Sequence, residues 1–188
     1  QRPMSPLWEE MERMGCTLKR EGSLLHCTGK LRPGAYQMDG SVSSQFLSGL
    51  MMALPLIHGE TSLKITGNVE SKPYIEMTRY VLEMFRDGCP EQIRVEGDWS
   101  SAAFWLAAGA LGSDIAVSGL NDHSPQGDRE IVEILPKLED NITISCMDIP
   151  DLVPVLAVVA AAKKGATFTG IHRLRLKESD RVASIMAM

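Results

Sequence analysis

The stretch Glu96–Gly119, EGDWSSAAFWLAAGALGSDIAVSG, decides the fold. It opens with polar residues, continues as an apolar run of helix length, turns at a glycine, and ends in a short alternating segment that closes on Gly119. The same order recurs upstream in Asp39–Gly67, DGSVSSQFLSGLMMALPLIHGETSLKITG, and downstream in Met147–Gly170, MDIPDLVPVLAVVAAAKKGATFTG. The closing glycines, Gly67, Gly119 and Gly170, lie 52 and 51 residues apart. A period that constant marks a structural repeat, with each copy predicted to hold a helix followed by a strand.

Each copy continues with a polar loop and a second helical pattern, starting at Ser71, Ser124 and Lys177. The first helix of each copy is apolar nearly all round, as in Phe46, Leu47, Leu50, Met51, Met52 and Leu54, which predicts burial on all sides. In the second helix of the first copy, Ile75, Met77 or Tyr80, Val81 and Leu82 give one apolar face. CTLKREGSLLHCTG, Cys16–Gly29, reads as two strands about Arg20-Glu21-Gly22. The expectation is an α/β (α+β) fold of repeated βαβαββ units, with one helix layer buried inside and one outside. The gaps after Gly88 and after Leu138 are equally brief, and read either as lost hairpins or as residues missing from the sequence.

The chain has 188 residues and a net charge of -5. It has the length for a buried core but no overall basic face, which argues against nucleic acid as a partner. Any bound anion needs a local pocket. Cys16, Cys27, Cys89 and Cys146 form no CxxC pair, and only four histidines accompany them, so no metal site is expected and the thiols read as buried and free. The most apolar stretch, Leu152–Ala162, is too short to span a bilayer, and no secretory signal pattern opens the chain. A cytoplasmic, monomeric protein without membrane contact is expected. The first residue is not Met and the last lie within a helical pattern, which reads as truncation at both ends.

Polar groups gather at predicted helix starts, where free backbone N–H groups and the helix dipole favour anions. Ser43, Ser44 and Gln45 precede Phe46; Ser71 and Tyr74 flank Pro73; Asp151 opens the third apolar helix. All of these also read as ordinary caps, as do Ser100 and Ser101. LRLKESDR, Leu174–Arg181, packs Arg175, Lys177, Glu178, Asp180 and Arg181 into seven residues. If a helix begins at Lys177, then Lys177 and Arg181 share a face and need an anion between them. The alternative is a solvated face with Glu178–Arg181 and Asp180 salt bridges. The density of charge beside an otherwise apolar repeat favours an anion site.

DGSVSSQFL, SKPYIEMT, VEGDWSSAAFWLAAGAL, IPDLVPVLAVVAA and LRLKESDR, in that order, resemble the 5-enolpyruvylshikimate-3-phosphate synthase family, and Arg2-Pro3-Met4 extends the likeness. The resemblance implies two globular domains, each of three βαβαββ units. Residues 1–95 would belong to the first domain and residues 96–188 to the second, with the crossover near Ile93–Asp98. It implies transfer of the enolpyruvyl group of phosphoenolpyruvate to the 5-hydroxyl of shikimate 3-phosphate with release of phosphate, and no metal or cofactor. By motif, Ser43, Ser44 and Ser71 would hold the 3-phosphate, with Gln45 and Tyr74 against the shikimate. Asp151 would accept the ring hydroxyls and act as a base. Lys177 would contact the reacting oxygen with Glu178 as its acidic partner, and Arg181 and Arg2 would grip phosphoenolpyruvate. The family's N-terminal lysine-bearing loop and its C-terminal Arg and Lys contacts have no match here, so the 188 residues alone are expected to show little activity. The alternatives are the sister UDP-N-acetylglucosamine enolpyruvyl transferase, which typically uses a reactive cysteine in a loop, and an inactive fragment that keeps the fold.

Overall fold

The hairpin expected near Gly22 forms in the computed structural model, which describes residues 4–177 and 179–188. Strands β1 (Cys16–Glu21) and β2 (Leu24–Gly29) pair antiparallel, with Leu18 opposite Cys27. The turn sits one step later than the sequence suggests, because Gly22 takes a left-handed φ of 61° after Glu21 has completed the ladder. The chain divides into two compact units, Gln1–Asp87 and Gly88–Met188.

The first unit continues from α1 (Leu7–Arg13) and the hairpin into β3 (Gly34–Asp39), α2 (Ser44–Ala53), β4 (Thr61–Thr66) and α3 (Lys72–Phe85). Strands β3 and β4 are parallel, with Gly34 beside Thr61 and Asp39 beside Thr66, so α2 is the crossover that a parallel pair requires. Period-two alternation sends Tyr36 and Met38 of β3 inward, each 1% exposed, onto Leu47, Leu50 and Ile75 of the helices. Burial of each such side chain stabilises the fold by about 1.5–3 kcal/mol. Glu10 of α1 is buried and accepts from Arg13 Nε at 2.8 Å, Arg13 Nη2 at 2.6 Å and the Gln37 N–H at 2.5 Å. The Arg13 bonds outweigh burial and, with the Gln37 N–H, hold the carboxyl below its ordinary range, which pins α1 onto β3.

The second unit repeats the theme. It holds α4 (Trp99–Ala110), α5 (Ile131–Ile134), β5 (Ile142–Ser145), α6 (Val153–Ala162), β6 (Ala166–Thr169) and α7 (Arg181–Ala187). Strands β5 and β6 are parallel across α6, with Ile142 beside Ala166 and Ser145 beside Thr169. The core gathers Trp99, Ala103, Ile131, Leu138, Leu156 and Val159. The helix expected from Ser124 is broken into 3₁₀ turns at Gly127–Glu130 and Leu135–Glu139 around a single α turn. Pro136 cannot donate a backbone hydrogen bond and crowds the preceding turn, which accounts for the later break.

The repeat glycines have a common cause. Gly67, Gly119 and Gly170 all adopt left-handed backbone, at φ 70°, 84° and 69°. A Cβ at Gly67 would collide with the Asp39 carboxylate, and one at Gly170 would lie 2.5 Å from Met147 Cγ. Each of these two glycines therefore closes against the first residue of its own repeat. At the middle repeat the same approach is made by Gly97, where a Cβ would lie 2.9 Å from the Gly119 carbonyl oxygen.

Two expectations are corrected here. Among the described residues, the alternating segment that ends at Gly119 forms no strand, and residues 92–97 ahead of α4 are irregular as well. Val95 is 88% exposed, so no buried face fixes a register between the two segments. The apolar helices are also not buried all round: Phe104 and Trp105 of α4 are 62% and 59% exposed, and Met52 of α2 and Val158 of α6 face outward. Composition records how apolar a helix is, not which of its sides has a neighbour. Of the four free thiols, Cys16 and Cys146 are buried as expected, whereas Cys27 and Cys89 are exposed.

Candidate active site

In the first unit, the starts of α2 and α3 carry the hydroxyl groups. Ser43 caps α2 from extended backbone, and its Oγ accepts from the Gln45 N–H at 3.3 Å. Ser44 is buried beside it. Ser44, Gln45 and Tyr74 line a groove of about 350 Å³ between α2 and α3, together with Met52, Met77 and Leu82. The groove is braced by a 2.8 Å bond between Ser48 Oγ and Thr78 Oγ1. Ser71 departs from expectation. It occupies the cap position of α3, but its side chain makes no capping bond to that helix. It is instead buried in a left-handed conformation, φ 55° and ψ 43°. That conformation costs a non-glycine residue about 1–2 kcal/mol and is characteristic of functional positions.

In the second unit, the charged stretch does not form one helix from Lys177. A 3₁₀ segment, His172–Leu176, ends at Lys177 in extended backbone, and α7 begins only at Arg181. Asp180 is the cap of α7: it accepts from the Ala183 N–H at 3.0 Å and from Arg175 Nη1 at 2.8 Å, and the backbone bond leads in holding its carboxyl below the ordinary range. Lys177 and Arg181 therefore do not share a helix face. They meet on Asp151, where Arg181 Nη1 lies 2.5 Å and Lys177 Nζ 3.9 Å from the same Oδ1. Asp151 sits in the 3₁₀ turn Pro150–Leu152 ahead of α6, whose start carries no side-chain cap bond, so its role is that of an ion partner rather than a cap. Arg2 and Glu178 lie outside the described residues.

A third cluster surrounds the start of α4. Its cap is Asp98, not the two serines expected: the carboxylate accepts from the N–H groups of Ser100 at 3.0 Å and Ser101 at 3.2 Å. Glu96 accepts from Ser124 Oγ at 2.7 Å, and from Gln126 Nε2 and Asn121 Nδ2 at 2.9 Å each. Burial raises its proton affinity, but these bonds outweigh burial and hold it low. Gln126 also accepts from the Trp99 N–H at 2.8 Å, so the loop before the broken helix locks the start of α4. Asp128, 3% exposed, accepts from Ser100 Oγ at 2.5 Å, while its other oxygen has no hydrogen-bond partner among the described residues. Burial pushes its carboxyl up to about 6. The sequence offered one signal for this cluster, an acid two residues before Ser100, and none for Gln126 or Asp128, which lie 27 and 28 residues away from their partners. No group of three or more His, Cys, Asp or Glu side chains among the described residues is placed to hold a metal.

The model of the EPSP synthase (3-phosphoshikimate 1-carboxyvinyltransferase) family matches residues 1–87 and 86–147, two pieces that meet where the first unit ends. The chain belongs to this family. It is similar to the 3-phosphoshikimate 1-carboxyvinyltransferase of Clostridium kluyveri, 36% identical over 222 residues, covering 98% of this chain and 52% of the relative. The protein of the same name from Clostridium acetobutylicum is 38% identical over 194 residues, covering 86% of this chain and 45% of the relative. That from Methanocorpusculum labreanum is 36% identical over 219 residues, covering 97% and 52%. The chain thus spans about half the length of the curated relatives it matches. The alignment of 222 positions against 188 residues leaves at least 34 positions of the Clostridium kluyveri protein without a counterpart here.

Proposed function

We propose that the protein to which this chain belongs transfers the enolpyruvyl group of phosphoenolpyruvate to the 5-hydroxyl of shikimate 3-phosphate. Residues 1–95 are assigned to the first domain of the family architecture and residues 96–188 to the second. The observation that carries the reading is the meeting of Lys177 and Arg181 on Asp151: two cations and a carboxylate, drawn from three separate segments, make an anion site with a base inside it.

The reaction needs those parts. The substrate hydroxyl loses a proton as its oxygen bonds to the enol carbon, and the methylene carbon gains one. Phosphate then leaves as a proton is withdrawn from the new methyl group. Asp151 is the acceptor of the hydroxyl proton. Lys177 contacts the reacting oxygen and moves a proton, with Glu178 as its acidic partner. Arg181, with Arg2, holds phosphoenolpyruvate through planar, permanently charged contacts that stabilise the departing phosphate. Ser43, Ser44 and Ser71 hold the 3-phosphate through hydroxyls and helix-start N–H groups, and Gln45 and Tyr74 rest against the ring. The strained Ser71 and the groove lined by Ser44, Gln45 and Tyr74 support that half of the assignment. No step calls for a metal or cofactor. The protein is proposed to work as a cytoplasmic monomer without nucleic acid or membrane partners.

The test is binding of shikimate 3-phosphate to the full-length protein. Replacing both Ser43 and Ser44 by Ala is expected to weaken binding by about 2–4 kcal/mol, the loss of two hydrogen bonds to a charged group. Unchanged affinity in the double variant would refute the phosphate assignment.

A further inference from the structure

The groove between α2 and α3 changes character along its length. Ser44, Gln45 and Tyr74 line it from the first turns of the two helices, and Met52 and Leu82 line it about two turns further on. Between them sit Ser48 and Thr78, a hydroxyl pair to which the proposed reaction gives no part. Ser48 follows Ser44 by four residues and Thr78 follows Tyr74 by four, so each lies on the same helix face as the group one turn before it. Ser48 Oγ and Thr78 Oγ1 are 2.8 Å apart, and Thr78 Oγ1 is also 2.8 Å from the Tyr74 carbonyl oxygen. A carbonyl oxygen only accepts and a threonine hydroxyl has a single proton, so Thr78 donates to Tyr74 and Ser48 donates to Thr78. The result is a directed line of two bonds from α2, through Thr78, to the backbone in the first turn of α3.

We propose that Ser48 and Thr78 are positioning residues for shikimate 3-phosphate: their bond sets the register of α2 against α3, and so the spacing between Ser43 and Ser44 at one helix start and Tyr74 at the other. The apolar cluster of Leu47, Leu50 and Ile75 draws the helices together, but burial has no direction and fixes their register less sharply than a hydrogen bond does. Neither hydroxyl is assigned a substrate contact; both act through groups one turn away. A slip at the pair is felt there, because groups that bind a substrate in a fixed orientation must be held to within about 0.5 Å. The proposal rests on the reading that this groove belongs to the shikimate 3-phosphate site. A pair that served stability alone would lower the melting temperature on removal and leave the affinity of the folded protein unchanged.

The experiment measures calorimetric binding of shikimate 3-phosphate, and KM for each substrate, in the full-length protein as wild type, Ser48→Ala, Thr78→Val and Thr78→Ser. Ser48→Ala removes only the bond between the helices and places a strong helix former in α2. Thr78→Val removes both bonds at nearly constant volume, and Thr78→Ser keeps both. Ser48→Ala and Thr78→Val are expected to weaken shikimate 3-phosphate binding about fivefold, the order of one net hydrogen bond, and to raise its KM alike, with KM for phosphoenolpyruvate changed by less than about twofold. Thr78→Ser should restore binding to near that of wild type. Wild-type affinity in Ser48→Ala would overturn the proposal. So would an equal rise in both KM values, or a loss in Thr78→Ser as large as in Thr78→Val. If Thr78→Val does not fold, Ser48→Ala decides alone. A wild type that binds shikimate 3-phosphate beside a Ser48→Ala that binds it equally refutes the positioning role and leaves the functional reading standing; a wild type that binds none refutes both.

Discussion

Arg181 and Asp151 lie 30 residues apart in sequence, yet Arg181 Nη1 stands 2.5 Å from Asp151 Oδ1, with Lys177 on the same oxygen. That carboxylate faces both cations, which would repel each other without it. On the proposed reading, an incoming phosphate or carboxylate group would compete for the same guanidinium, so that substrate binding would release the base.

Arg181→Ala is therefore expected to weaken phosphoenolpyruvate, seen as a raised KM for that substrate with a smaller effect on shikimate 3-phosphate. Arg181→Lys should restore the charge but not the planar, two-pronged contact, and so should recover only part of the loss. Steady-state kinetics of the full-length protein, with each substrate varied in turn, checks both.

Asp128 gives a pH prediction of definite sign. Its folded value, about 6, is raised above the ordinary 3.8, so its ionisation opposes folding. The cost is absent below about 4, grows as pH rises between the two values, and is fully present above 6. Asp128→Asn should therefore be more stable than wild type at pH 7.5, by about 2–3 kcal/mol, with the difference shrinking toward pH 4.5. Asp98 and Glu10 are shifted the other way and lose their contributions only at lower pH, as they protonate, so the two effects separate in thermal melts across that range.

Glu10 holds the first unit together. Glu10→Ala strands the Gln37 N–H and releases Arg13, and should cost about 2–4 kcal/mol. Chemical denaturation measures it. A loss under about 1 kcal/mol would show that the bonds to Glu10 merely offset the desolvation of its carboxylate.

Ser71 sets stability against function. Ser71→Gly relieves the left-handed backbone and should raise the melting temperature, by about 1 kcal/mol of stability at most after the entropic cost of glycine. The same change removes the hydroxyl and should weaken shikimate 3-phosphate. Calorimetric melting and binding on one variant test both halves.

Much of this architecture was legible in the residues. The constant glycine period foretold the closing turns, because all three positions take left-handed backbone, and at Gly67 and Gly170 a neighbouring residue also leaves no room for a side chain. The short strands that end just before Gly67 and Gly170 were visible as well. What stayed hidden depends on neighbours distant in sequence. A helical pattern at Lys177 could not show that the chain stays extended there so that Lys177 reaches Asp151. The ring of apolar residues in α4 could not show that Phe104 and Trp105 face outward. The strand before Gly119 fails although its sequence alternates, since a strand exists only with a partner in register. Gln126 and Asp128 gave no signal because their partners are set by the fold, not by spacing.

The most direct measurement is turnover of the full-length protein with shikimate 3-phosphate and phosphoenolpyruvate, followed as phosphate release, in wild type and Lys177→Met. The account predicts phosphate release by wild type and a loss of about 10²-fold or more in kcat for the variant, with shikimate 3-phosphate affinity changed far less. Near-wild-type turnover in Lys177→Met, or no reaction of these substrates with wild type, would contradict it.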